Sequence, residues 1–186
     1  MLKDHKWELA LMGGFLLLTL LFYTGCGQKG SPTAPEVPRL PQSGIRILRL
    51  GGADSVGVVC KGEPLYAEEF IEADVGGEVE LEGEYVDHEV EVPAGALSED
   101  TLISVACPDA QLAVVNFGPC GISFNVPVSV SLYWRDVEDV GGDLGIYWYD
   151  EEQGKWVEIL ARIEVIGNDV DAEFELNHFS RYALAD

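Results

Sequence analysis

Residues 79–92 read VELEGEYVDHEVEV, and apolar and acidic side chains alternate along them on a period of two. Successive side chains of an extended strand point to opposite faces, so this pattern describes strands with one apolar and one charged face, broken at a Gly83 turn. Similar short apolar runs follow at 102–107, 112–117, 126–134, 145–149, 156–164 and 170–176. The last two flank Gly167-Asn168-Asp169, a turn signal, and residues 150–155, with Gly154, join Tyr149 to Trp156 as a hairpin loop. Upstream, residues 45–50 (IRILRL) fit one further strand. Helical periodicity is weak, with a single helical turn suggested at 68–73, and no repeat of solenoid or propeller length appears. Short strands at this spacing predict an all-β chain folded as a single β-sandwich over residues 45–186.

What precedes that domain follows the secretory plan. Lys3 and Lys6 open the chain, and a leucine-rich stretch occupies 9–22, shorter than the roughly 20 residues a membrane-spanning helix requires. Tyr23-Thr24-Gly25-Cys26 comes next. It resembles a lipobox, in which small residues admit the chain to a signal peptidase and the cysteine thiol takes a diacylglycerol; Tyr23 stands where leucine is usual. Residues 1–25 are therefore expected to be a lipoprotein signal peptide, with Cys26 the lipidated residue and the membrane a partner through that lipid. Gly27 carries no inner-membrane retention signal, so the expected destination is the outer membrane or cell surface. Residues 26–44 contain Pro32, Pro35, Pro38 and Pro41, a spacing that favours polyproline II and makes this a lipid-anchored, semi-rigid linker.

Charge narrows the partners. Asp and Glu number 33 against 11 Lys and Arg, a net charge of -22, while 47% of residues are hydrophobic and can build a core. Such a chain repels phosphate backbones, so nucleic acid is excluded as a partner. Beyond the leader there are only His88 and His178, and no C-x-x-C or zinc spacing, so no metal or other cofactor is expected. An exported domain permits disulfides; of Cys60, Cys107 and Cys120, the pair Cys107–Cys120 is the expected one.

Three stretches carry a family resemblance. Val-Glu-Val at 90–92 runs into Pro93-Ala94-Gly95-Ala96-Leu97, then Asp100-Thr101-Leu102-Ile103 follows. Further on stand Gly118-Pro119-Cys120-Gly121 and Pro127-Val128. From about residue 73 onward this resembles the ZU-five domain, the β-sandwich of zona occludens, netrin-receptor and ankyrin proteins. The resemblance implies an interaction or structural module with a protein partner. Pro93, Gly95, Ala96, Gly118, Pro119, Gly121 and Pro127 are expected to shape corners of the sandwich, because proline removes a ladder donor and glycine permits tight turns.

The same resemblance draws attention to His178-Phe179-Ser180. Some ZU-five domains cut their own chain between Phe and Ser of this tripeptide. The chemistry implied is an N-to-O acyl shift: Ser180 attacks the Phe179 carbonyl, His178 takes its proton, and water hydrolyses the ester. The structural alternative, which is preferred, packs Phe179 and Tyr182 into a last strand. Two other patterns are weighed. Asp136, Glu138, Asp139 and Asp143 crowd a loop, but not at EF-hand spacing. Tyr133, Trp134, Tyr147, Trp148, Tyr149 and Trp156 offer a sugar-stacking platform only if they face outward, and alternation sends half of them inward. No phosphate loop, H-E-x-x-H or G-x-S-x-G occurs, so no enzyme acting on an external substrate is expected.

Overall fold

The computed structural model describes residues 45–51 and 63–186. The expected signal peptide, Cys26, the linker and Cys60 lie outside the described residues. Among these residues the chain forms β1 (Leu65–Ile71), β2 (Gly76–Glu82), β3 (Val86–Pro93), β4 (Thr101–Cys107), β5 (Val114–Gly118), β6 (Ser123–Trp134), β7 (Gly145–Asp150), β8 (Lys155–Ile159), β9 (Arg162–Ile166), β10 (Asp169–His178) and β11 (Arg181–Ala185). Every pairing is antiparallel, in a six-stranded sheet of order β1-β4-β5-β11-β7-β8 and a five-stranded sheet of order β2-β3-β6-β10-β9. The two sheets enclose one main core, which makes the domain a β-sandwich.

The alternation legible in 79–92 becomes a two-faced sheet. Val79 and Leu81 of β2, and Val86, Val90 and Val92 of β3, are buried, while the carboxylates between them are exposed. β6 continues the pattern inward with Val128, Val130, Leu132 and Trp134, and β10 with Val170, Ala172, Phe174 and Leu176. Opposite them lie Ile103 and Val105 of β4, Val115 and Phe117 of β5, Ile146 of β7, and Tyr182 and Leu184 of β11. Burying one such side chain is worth roughly 1.5–3 kcal/mol, so this layer is the main source of stability.

Three expectations are corrected. Residues 68–73 are not a helical turn; most of that stretch lies in β1, paired along its length with β4. Ladder bonds to β4 outweigh a weak local helical preference. The run at 156–164 is not one strand. It breaks after Ile159, with β8 in one sheet and β9 in the other, and Leu160 stands fully out in solvent at the crossing. Residues 45–50 do not form the expected strand and make only isolated bridges, Ile47 to Ala185, Arg49 to Leu112 and Leu50 to Val137. Leu48 and Leu50 enter the main core, while Ile47 joins a small cluster with Val114, Trp156 and Ala183 on the other side of the six-stranded sheet.

His88 is a buried residue of the inner layer whose side chain, free in water, titrates near neutrality. It stands between Leu81 and Leu132 and meets Trp134 edge-on at 5.3 Å. Neither ring nitrogen has a hydrogen-bond partner, and burial lowers the pKa to about 4. The unfolded chain holds its proton up to about pH 6.5, so the stability tied to neutral His88 is complete above that value and drains away as pH falls toward 4. Urea unfolding of wild type and His88→Leu should therefore diverge with acid. By about pH 4.5 the wild type should lose roughly 2.5 kcal/mol more than the variant, relative to their difference near pH 8. Parallel losses would mean that His88 does not titrate in this way.

Candidate functional site

The His178-Phe179-Ser180 tripeptide is the last of the corners at which the chain leaves the five-stranded sheet and enters the six-stranded one: His178 ends β10, and β11 begins at Arg181. Its placement depends on β6. The β10–β6 ladder is regular as far as Leu176 opposite Val128, then shifts register and resumes with His178 opposite Ser123. Pro127 lies at the break and has no N–H to give the ladder, which accounts for a bulge there.

Three backbone groups of the corner are tied to β5 and the β5–β6 connection. Phe179 N–H donates to the Ile122 carbonyl at 3.2 Å, and the Phe179 carbonyl accepts from Gly121 N–H at 3.3 Å. The Ser180 carbonyl accepts from Phe117 N–H at 3.0 Å. The Phe179 ring, 1% exposed, packs 4.7 Å from Phe124 and 5.3 Å from Phe117. Tyr182 hydroxyl donates to the His178 carbonyl at 3.1 Å. Thus the two motifs singled out in sequence, Gly118 to Gly121 and His178 to Ser180, meet in space. Gly121 has φ +78°, a conformation glycine adopts without cost, and this aims its N–H at Phe179.

For an acyl shift, Ser180 Oγ must give its proton to a base and turn toward the Phe179 carbonyl. Instead the hydroxyl donates to the Tyr149 carbonyl at 3.1 Å, and the His178 ring lies edge-on to Trp148 at 4.9 Å. Neither Phe179 nor Ser180 has a positive φ, and the bond between them is trans; the cis bond among the described residues is Gly118–Pro119. The geometry is that of a satisfied corner, with one feature suited to catalysis: a backbone donor already on the Phe179 carbonyl.

The other sequence candidates separate. Cys107 is a free, buried thiol at the end of β4, and Cys120 is disulfide-bonded, so the expected Cys107–Cys120 pair is not formed. Period two explains this: Cys107 shares the inward face of Ile103 and Val105, whereas Cys120 is exposed in the β5–β6 turn. Burial pushes the Cys107 thiol up to about 12. Pro93 and Gly95 shape the turn after β3: Ala96 N–H donates to Pro93, Gly95 N–H to Ala73, and Gly95 takes φ +81°. Ala96 is fully buried and its carbonyl accepts from Asn125 N–H. In the acidic loop Asp139 pairs with Arg46 at 3.0 Å, and among the described residues no group of His, Cys, Asp or Glu is placed to hold a metal ion. Trp134 and Trp156 are buried, while Tyr133, Tyr147, Trp148 and Tyr149 are half-buried, so the aromatics form no open platform.

One surface went unnoticed in the sequence. Register brings Glu78 opposite Glu91, Glu80 opposite Glu89 and Glu82 opposite Asp87 on the outer face of β2–β3. Beyond β6, Asp171, Glu173 and Glu175 of β10 stand on the same face, with Asp171 opposite Glu164 of β9. Arg162 reaches Glu173 at 2.9 Å and Glu164 at 3.5 Å, and Arg135 reaches Asp87 at 3.2 Å. Desolvation, then neighbouring carboxylates, raise the pKa of Glu89 and of Asp171. The signal lay in a second acidic alternation at 169–175, but only β6 makes it coplanar with the first.

No family model matches the chain, and no curated protein matches it. The role of the corner is accordingly read from its geometry. Phe179→Ala should cost about 3–5 kcal/mol by opening a cavity at the end of the core. Ser180→Ala should cost only about 1 kcal/mol, the worth of one hydrogen bond. Urea denaturation measures both, and equal losses would deny the ring its packing role. Cys107 should resist alkylation in the folded protein and react only after unfolding, as peptide mapping would report.

Proposed function

We propose that this is an exported lipoprotein, anchored through lipid on Cys26 to the outer membrane or cell surface, whose ZU-five-like sandwich acts as an interaction module. Residues 1–25 serve as signal peptide and 26–44 as spacer, with the domain at 45–186 held off the bilayer. The observation that carries the module reading is the outer face of the five-stranded sheet: rows of opposed carboxylates with little internal compensation. Like charges placed directly opposite destabilise a sheet, and natural proteins keep such local violations at functional sites. The ZU-five-like motifs support the same reading, since they shape corners and leave the sheet faces free.

A second reading, self-cleavage between Phe179 and Ser180, draws on the Gly121 N–H that contacts the Phe179 carbonyl. Strengthening that bond as the carbonyl becomes tetrahedral is what an oxyanion donor does.

Intact mass under denaturing conditions, measured on the membrane-extracted protein and on Ser180→Ala, tests both readings. The expected result is a chain beginning at Cys26 with a lipid adduct and keeping residues 180–186 in both forms. Cys26→Ala should leave the membrane fraction. A wild type without lipid would overturn the anchor, and loss of residues 180–186 in the wild type alone would establish self-cleavage in place of a plain module.

A further inference from the structure

The acidic sheet face has a shape as well as a charge. β6 runs through its middle and presents Ser129 and Ser131, whose short side chains floor a shallow groove of about 440 Å³. Glu89 and Glu91 of β3 wall one side, and Glu173 and Glu175 of β10 wall the other, where Arg162 of β9 also lines the groove and offsets only Glu173 within it. The walls are two strand spacings apart, about 9–10 Å. Among the described residues no acids converge to hold a metal ion, whose oxygen ligands must lie at roughly 2.3–2.6 Å, and the groove is open between its walls. It is wide enough for an extended side chain to lie between the walls with its charged end reaching either.

We propose that this groove and its flanking carboxylates dock a lysine- and arginine-rich segment of a partner protein; the proposal rests on the interaction-module reading. Charge complementarity selects the occupant. A second copy of the chain, at a net charge of -22, is repelled, and so are anionic lipid and nucleic acid. A basic segment removes the repulsion between opposed carboxylates and meets serine hydroxyls able to accept hydrogen bonds from its side chains. The opposite sheet lacks this character: Ile47, Val114 and Trp156 form an apolar cluster on its outer side. Most of the attraction is electrostatic, so it must weaken with salt.

The test titrates a fluorescent oligolysine peptide into the full lipidated chain in detergent, at low and at physiological salt. Two variants are compared: Glu89→Gln, Glu91→Gln, Glu173→Gln and Glu175→Gln together, and a control with Glu69→Gln, Glu72→Gln, Glu151→Gln and Glu152→Gln. Both remove the same charge from exposed positions. The face variant should bind about tenfold or more weakly, while the control changes by less than about threefold. No binding, or equal weakening in both, overturns the proposal, because attraction would then be absent or due to overall charge alone. Photocrosslinking in the native envelope separates this failure from that of the module reading. Protein adducts from a benzophenone side chain at Ser129 but not at Tyr66 are expected. Adducts from Tyr66 alone keep a module but overturn this face, and adducts from neither overturn both.

Discussion

Phe179 occupies the last point where the chain passes from one sheet to the other, and the sandwich depends on closing that end without stranding backbone polar groups. A buried crossover carries N–H and C=O groups that cannot reach water, and each must find a partner inside the protein. Here the partners are backbone atoms of Phe117, Gly121 and Ile122, and the ring fills the space between Phe117 and Phe124. The same contacts bind β5 to β11 and β10 to β6, so closure of the corner and pairing of both sheets are one structural event. Ser180 and His178 are drawn in as neighbours of this plug, which explains why a tripeptide that suggests chemistry is so fully engaged in packing.

Electrostatics works against this core rather than with it. Glu89 and Asp171 have raised pKa values, so the folded state holds their protons more tightly and gains stability as pH falls through their titration. His88 acts with the opposite sign, since its pKa is lowered and acid favours the unfolded chain. Water and salt lessen the repulsion on the charged face, whose carboxylates are mostly exposed, without removing it between directly opposed pairs. Burial of His88 between leucines and beside Trp134 has no such relief.

Much of the architecture was legible. The period-two patterning of 79–92 and 170–176 marked the inward residues correctly, and Gly167-Asn168 and Gly154 lie in the β9–β10 and β7–β8 turns as expected. Errors occurred where local pattern and tertiary pairing disagree. Residues 68–73 have no strong alternation because much of β1 is exposed on both faces. The break in 156–164 carries no turn residue, since Leu160 and Ala161 are ordinary in either sheet. Cys107 and Cys120 are near in sequence, but the alternation of β4 turns one thiol into the core.

By itself the sequence determined a two-faced, all-β chain, because strand geometry converts every alternation into an inside and an outside regardless of what the strand pairs with. It also placed the turns, where glycine and proline act locally. Only the tertiary structure decided which strands share a sheet, and with that which side chains meet. The Gly121 N–H meets the Phe179 carbonyl, and the acids of β3 and β10 flank the serines of β6, because register and strand order are set by packing between segments far apart in the chain, which no local pattern encodes.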